Sequence, residues 1–272
     1  MRTKTITIGL SMTLLAVLVF FYSWQIEPRQ LRERTIELFN PVIKRDCTII
    51  FMADLHIPLI NGLEDKILAA LKRNKPDIIL IGGDFSAIRT EASYAIDKLK
   101  LLSRYGKVVM VLGNTDLCGL RQCVYCALKY PVDRLTQLPA TILRNDSILL
   151  PDLGVRVVGL DDPVTDNDDT LAVRAPDGAS FNILLLHNNY KLTADQKRRF
   201  DLVCSGHTHG GQLFFVKPFL HLFDRTIDTR FISGLFWTGK TAVVVTSGIG
   251  ESFLPLRMGV VPEIVVIHVR KL

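Results

Sequence analysis

An α/β fold built on two sheets is predicted by three observations. Between residues 48 and 112, short aliphatic runs alternate with amphipathic stretches in βαβαβ order, which calls for a mainly parallel sheet flanked by helices. After Asn145 the pattern turns β-rich, consistent with a second sheet packed on the first. Finally, six polar islands each follow an apolar run: Asp54-Leu55-His56, Gly83-Asp84, Gly113-Asn114, His187, His207 and His209. The carboxyl ends of strands are where α/β sheets place ligands, so the islands predict one site rather than six unrelated features.

Taking the elements in order, no charged residue occurs from Thr5 to Ile26. A helix of about 20 apolar residues crosses a bilayer. Phe20, Phe21, Tyr22 and Trp24 crowd its far end, as an interfacial aromatic belt does. A cleaved signal peptide competes with this reading, but it needs small residues at the cleavage site, and Phe-Tyr-Ser-Trp is a poor match. Residues 1–26 are therefore expected to be an uncleaved, single-pass transmembrane helix. The side facing the cytoplasm stays open. Arg2 and Lys4 flank one end, and Arg29, Arg32, Arg34, Lys44 and Arg45 the other. Residues 27–46, with Pro28 and Pro41, are expected to be a polar juxtamembrane linker, and 47–272 the functional domain.

Within that domain, a strand at 48–53 precedes a helix near 63–73 that puts Leu63, Ile67, Leu68 and Leu71 on one face. A strand at 77–82, a helix near 91–103 and a strand at 107–112 follow. Strands at 147–150 and 154–160, joined by the turn from Pro151 to Gly154, predict a hairpin. Strands at 181–186 and 202–205 lead to His187 and His207. Runs at 240–247 and 262–269 are expected to close the fold as a strand pair.

Composition narrows the function. The 272 residues suffice for one large domain or two small ones, and the excess in the apolar fraction of 48% is concentrated at the amino terminus. A formal charge of +6 suits a domain lying against anionic lipid. No dense Lys/Arg run interleaved with aromatics occurs, so a nucleic-acid surface is not expected.

The chemistry resides in the islands. Asp54 and His56 are two apart, as are His207 and His209, so in extended backbone each pair points one way. Asp84 carries two oxygens, enough to bridge two cations, and Asn114 offers a neutral carbonyl. A single histidine is commonly a hydrogen-bonded structural residue. Seven ordered oxygen and nitrogen donors suit two divalent metal ions.

With these residues the chain resembles the calcineurin-like metallophosphoesterases, through Asp54-Leu55-His56, Gly83-Asp84, Gly113-Asn114-Thr115-Asp116, His187 and Gly206-His207-Thr208-His209. The run from Ser205 to Gln212, the run from Ser247 to Gly250 and the run from Pro255 to Gly259 are similar to the membrane-associated bacterial branch. That branch includes cell-envelope phosphodiesterases and a UDP-2,3-diacylglucosamine pyrophosphatase of the lipid A pathway. The resemblance implies a four-layer αββα sandwich of two mixed β-sheets. It implies one metal held by Asp54, His56, His209 and Asp84, and a second held by Asp84, Asn114, His187 and His207. The ions would be Mn, Fe or Zn, and a metal-bridging hydroxide would attack a phosphodiester or pyrophosphate in a lipid- or nucleotide-linked substrate, with UDP-2,3-diacylglucosamine a candidate.

One departure stands out. Thr115 replaces the family's usual leaving-group histidine, while Asp116 is retained as the expected catalytic carboxylate. Threonine is no general acid near neutral pH, and general acid–base help is worth roughly 10²–10⁴-fold. A phosphoanhydride, whose leaving group is already a stable anion, suffers least. A non-catalytic metal-binding or sensing protein of the same fold is the alternative. Cys118, Cys123 and Cys126 leave a disulfide, a metal or redox cluster, or free thiols open, whereas Cys204 is expected in the core. The acidic stretch with Asp161, Asp162, Asp166, Asp168 and Asp169 lacks the glycine and glutamate of an EF-hand and is expected to be a solvated loop. Arg257 is expected to form salt bridges or meet substrate phosphate. The apolar run 213–223 is expected to be core or a greasy lip that meets lipid.

Overall fold

The computed structural model describes residues 2–58, 60, 62–87, 90–117, 138–162, 180–188, 192–225, 227, 229–252 and 254–272. Among these residues, two six-stranded mixed sheets face each other. The first sheet has β1 (Arg32–Asn40), β2 (Cys47–Met52), β3 (Ile78–Gly82), β4 (Lys107–Val111), β5 (Thr141–Ile142) and, from the carboxyl terminus, β12 (Glu263–Lys271), in the order β1-β12-β2-β3-β4-β5. The second sheet has β6 (Asp146–Leu150), β7 (Val155–Gly159), β8 (Phe181–Leu185), β9 (Leu202–Ser205), β10 (Gly234–Thr238) and β11 (Thr241–Val245), in the order β10-β11-β9-β8-β7-β6. The helices are α1 (Arg2–Phe21), α2 (Glu64–Asn74), α3 (Ala92–Leu102), α4 (Asn114–Leu117), α5 (Ala194–Lys197) and α6 (Leu220–Phe223).

Strand alternation produces the layers. In β2, Ile49 and Phe51 point into the core between the sheets, joined there by Val109, Val111, Ile183, Leu185 and Val244. Their neighbours Ile50 and Met52 point the other way, onto Ile67 and Leu71 of α2 and Leu99 of α3. The alternation is the period of two that a strand imposes, and the buried residues of β2 to β4 therefore meet either sheet or helix. Leu71 is wholly buried on the face the sequence predicts. The hairpin β6–β7 is antiparallel, as its turn predicts, and β2, β3 and β4 are parallel.

Two expectations are corrected. The segment read as a linker, 27–46, contains β1, an edge strand parallel to β12. Ile36 and Leu38 are buried in the inter-sheet core, and Arg32 and Arg34, nearer the start of the strand, grip the buried Glu263. Charges flanking a short apolar alternation are how an edge strand is protected, and they disguised this one as a linker. The runs at 240–247 and 262–269 are strands but not partners. β11 lies between β10 and β9, while β12 lies between β1 and β2 and runs antiparallel to β2. The hairpin partner of β11 is β10, joined to it by a tight turn at Gly239 and Lys240, and β9 pairs with its other edge.

α1 stands apart from these layers. Its apolar side chains from Leu10 to Phe21 lie exposed, and it is long and apolar enough to cross a membrane.

Candidate metal centre

The polar islands converge where both sheets end. Asp54 and His56 follow β2, Asp84 follows β3, Asn114 opens α4 after β4, His187 follows β8, and His207 and His209 follow β9. Backbone hydrogen bonds hold these ends together: Asp54 N donates to Gly83 O at 3.0 Å, His56 N to Asp84 O at 3.0 Å, and Gly206 N to His187 O at 3.0 Å. Gly113 permits the close approach, because a Cβ there would collide with the Asp84 carboxylate.

Five site residues have left-handed backbone: Asp54 (φ 54°), His56 (46°), Asp84 (50°), His207 (72°) and His209 (48°). Such conformations cost side-chain-bearing residues about 1–3 kcal/mol each and persist only where surrounding structure enforces them. That expense, concentrated at one spot, marks a site shaped for more than folding.

The side chains form two groups, Asp54 with His56 and His209, and Asp54 with Asp84 and His187, in each of which the ligand atoms lie within 4.8 Å of one another. In the first group the His56 and His209 rings stack at 5.0 Å with their Nε2 atoms 3.1 Å apart. His209 Nδ1 is buried without a hydrogen-bond partner among the described residues. Beside the second group, Asn114 Oδ1, His187 Nε2 and His207 Nδ1 form a triangle with sides of 3.0, 3.1 and 3.1 Å. Asp84 Oδ2 is 3.6 Å from both His56 Nε2 and His187 Nε2, so it lies between the two groups.

Tautomers make this arrangement informative. His187 Nδ1 donates to Gly82 O at 2.9 Å, and His207 Nε2 donates to the Asp224 carboxylate at 2.9 Å. With those protons committed outward, the inner nitrogens of the neutral rings present lone pairs to each other and to the Asn114 oxygen. Three acceptors facing one another repel unless a proton, as on the metal-free His187, or a metal ion lies among them. Adjacent ligands of an octahedral ion with bonds of about 2.1 Å are about 3.0 Å apart, which matches the triangle. The donors therefore fit a divalent ion, and the mixed nitrogen and oxygen set suits Mn, Fe or Zn better than Ca.

The electrostatics are those of a site shaped for cations. Burial alone lowers His187, but the charges of Asp84, Asp162 and Asp54 outweigh it and lift the imidazole to about 9. Burial raises Asp54. Burial also opposes ionisation of Asp84, yet His187, His56 and the Thr115 N–H overcome it and hold this carboxylate below its usual range. Burial, followed by the neighbouring His56, pushes His209 well down, so it stays neutral.

Thr115 and Asp116 occupy different positions from the seven donors. The Thr115 N–H donates to Asp84 Oδ1 at 2.8 Å, and its hydroxyl donates to Ser86 O at 2.8 Å. Asp116 is fully buried, accepting N–H bonds from Phe85, Ser86 and Gly113 at 3.2, 2.9 and 3.0 Å. Burial and the nearby Asp84 raise it to about 7. Its geometry is that of a brace for the Asp84 and Asn114 loops. Arg257 is also buried, donating to the carbonyls of Ser247, Gly250 and Val260 rather than facing open space. Asp161 is paired with Arg144 in a two-pronged ion pair, and Asp162 is buried, so these two belong to no solvated loop. Cys204 packs in the inter-sheet core as predicted. Cys118, Cys123 and Cys126, with Asp166, Asp168 and Asp169, lie outside the described residues.

Asp224 escaped the sequence reading. It is the first acid after the long apolar run that follows His209, a weak signal by itself. Only the fold brings it to His207.

A buried cluster of acids, imidazoles and an amide, at the common strand ends of two facing sheets, defines the di-metal phosphoesterase class. The calcineurin-like phosphoesterase family model matches residues 47–211, and the chain belongs to that family of metal-dependent hydrolases, which binds two divalent ions. The uncharacterized metallophosphoesterase YkuE of Bacillus subtilis (strain 168) is 32% identical over 234 residues, covering 80% of this chain and 77% of that one. Phosphodiesterase YaeI of Escherichia coli (strain K12) is 27% identical over 235 residues, covering 81% of each chain. The fold matches that of the protein TT1561 from Thermus thermophilus, with a TM-score of 0.50 at 11% identity over 75% of this chain and 90% of that one.

Proposed function

We propose that this protein is a single-pass, membrane-anchored hydrolase of a phosphodiester or pyrophosphate bond in a lipid- or nucleotide-linked substrate, with UDP-2,3-diacylglucosamine as the candidate. In this reading residues 1–26 form the anchor, and 47–272 together with the edge strand β1 form the catalytic domain. The observation that carries the catalytic half is the inward triangle of Asn114, His187 and His207 beside the Asp84 carboxylate. Asp54, His56, Asp84 and His209 would hold one divalent ion, and Asp84, Asn114, His187 and His207 the other. When bound, the pair supplies Lewis-acid activation of water and neutralises charge at phosphorus.

The protein's own groups do the rest. Gly82 O and Asp224 aim the inner nitrogens of His187 and His207 by taking the outer protons. The Thr115 N–H fixes one oxygen of Asp84, leaving the other toward His56 and His187. Asp116 fastens the loops that bear Asp84 and Asn114. The hydroxyl of Thr115 is engaged with Ser86 O, which leaves this position without a titratable proton for a leaving group. That favours a substrate whose leaving group departs as a phosphate, hence the pyrophosphate. Purified full-length protein with Mn²⁺ is expected to cleave UDP-2,3-diacylglucosamine faster than simple alkyl phosphates. Faster turnover of the alkyl phosphates would overturn the substrate assignment.

A further inference from the structure

We propose that the segment from Leu213 to Leu222, with Leu254, is a bilayer-docking rim. Fixed to the base of α1, it holds the mouth of the metal centre against the lipid headgroups, so substrate enters from the membrane plane. This rests on the membrane reading of α1 given above.

Three observations support it. First, the rim is apolar and, among the described residues, uncovered. Phe214, Phe215, Phe219, Leu222 and Leu254 are each at least 50% exposed, Leu222 reaching 70%. Soluble surfaces rarely expose so many large apolar side chains together, and such patches mark contact surfaces. Lys217 within the rim and the exposed Arg225 just beyond it complement anionic headgroups.

Second, the rim is bonded to the anchor through a single dipeptide. Arg257 N donates to Ser23 O at 2.9 Å, at the exit of α1, while the next residue, Met258, accepts from Phe214 N at 2.8 Å. Consecutive Cα atoms are about 3.8 Å apart, so anchor and rim emerge side by side. The anchor is no loose tether, either. Ser23, Glu27 and Pro28 are buried, and a Glu27 oxygen accepts from Val260 N at 2.6 Å. An exposed apolar patch locked beside a bilayer-spanning helix has one occupant that is always present, the bilayer itself.

Third, the rim adjoins the metal centre. Gln212 N donates to His209 O at 2.9 Å, and the Gln212 side chain clamps the other loop, donating to Leu254 O at 2.6 Å and accepting from Ser252 N at 2.9 Å. The candidate ligand His209 is thus only a few residues from the patch.

The test uses tryptophan fluorescence of the full chain in vesicles of phosphatidylethanolamine and phosphatidylglycerol with brominated acyl chains. The chain has two tryptophans, Trp24 at the anchor and Trp237. Trp237 pairs with Ala242 at the start of β11, at the opposite end from the site. Three single-tryptophan proteins are compared: Trp24 alone, Trp237 alone, and Phe219→Trp in a W24F/W237F background. Strong quenching of the residue at 219, comparable to Trp24 and absent for Trp237, is the expected result. Quenching of Trp24 without quenching at 219 overturns the rim and leaves the anchor intact. Shielding of 219 from aqueous acrylamide without quenching by brominated lipid assigns the patch to a protein partner and also overturns it. If Trp24 itself is unquenched, the membrane reading fails, and the rim with it. In a second arm, the F214S/F219S/L222S protein is expected to lose about tenfold in turnover of vesicle-borne lipid-linked phosphate, with hydrolysis of soluble bis-p-nitrophenyl phosphate unchanged. Equal losses on both substrates would overturn the rim.

Discussion

The floor of the metal centre and its rim obey different physics. The floor is buried and charged, and its backbone is forced into left-handed conformations at Asp54, His56, Asp84, His207 and His209. The rim from Leu213 to Leu222 is exposed and apolar, with its chain in short 3₁₀ and α turns. Strain is tolerated in the floor because neighbouring strands overdetermine each position, whereas the rim presents large apolar side chains that no described residue covers. Floor residues should therefore respond to substitution through metal occupancy, and rim residues through access to substrate.

The largest effect is expected at Asp84, the carboxylate lying between the two ligand groups. Asp84→Asn should lower turnover by more than about 100-fold, beyond the 10–100-fold typical of groups that stand behind a ligand. Elemental analysis should show loss of bound metal while circular dichroism is retained. Full activity with two bound ions would remove Asp84 from the centre. Next comes Asp224→Asn, which leaves the His207 ring without its anionic acceptor. Metal affinity should weaken by about 10–100-fold, with the apolar rim unaffected in the lipid-quenching assay. An unchanged affinity by calorimetry would deny Asp224 any part in aiming His207.

These two residues also show what sequence can and cannot reveal. Asp84 is recognisable because an acid follows an apolar run and two glycines, and such a residue at a strand end has few other uses. The same holds for Asp54, Asn114 and the four site histidines: strand ends are encoded locally, by alternation and by the polar residue that stops it. Asp224 is invisible for the opposite reason. Its value comes from meeting His207 across a loop, and no spacing rule specifies that encounter. β1 was obscured because its two buried residues, Ile36 and Leu38, lie among charges that pair with β12 only in three dimensions. The pairing of β11 with β10 rather than β12 is likewise a choice between sheets, and alternation alone does not make it.

A third effect is set by pH. In the metal-free protein His187 titrates near 9, raised from 6.5 by Asp84, Asp162 and Asp54 against the effect of burial, with His207 adjoining it. A raised value means that protonation contributes to folded stability fully below pH 6.5, and that this contribution is lost as pH rises through about 9. Metal needs the unprotonated ring, so binding must expel that proton. Apparent affinity should therefore climb toward pH 9 by up to about tenfold per unit for this one proton, and then level off. Calorimetry in buffers of different ionisation enthalpy should register proton release at pH 7. Binding with no buffer dependence would show that His187 is not displaced from its proton by metal.

The smallest effect on the proposed substrate is expected at Thr115, where floor chemistry and leaving group meet. Thr115→His installs the proton donor that the family ordinarily has, a kind of group worth roughly 10²–10⁴-fold when the reaction needs it. A departing phosphate needs little help, so turnover of UDP-2,3-diacylglucosamine should stay within about threefold, whereas an alkyl phosphodiester should gain up to about 100-fold. Both oxygens of Asp116 already hold backbone N–H groups, so it has no ready capacity to orient the new ring. The gain on alkyl esters should accordingly fall in the lower part of the range for general acids. A gain of about 100-fold or more on every substrate would mark the natural protein as catalytically impaired. In that event the threonine would belong to a metal-binding sensor, and the rim would present that sensor, rather than an enzyme, to the bilayer.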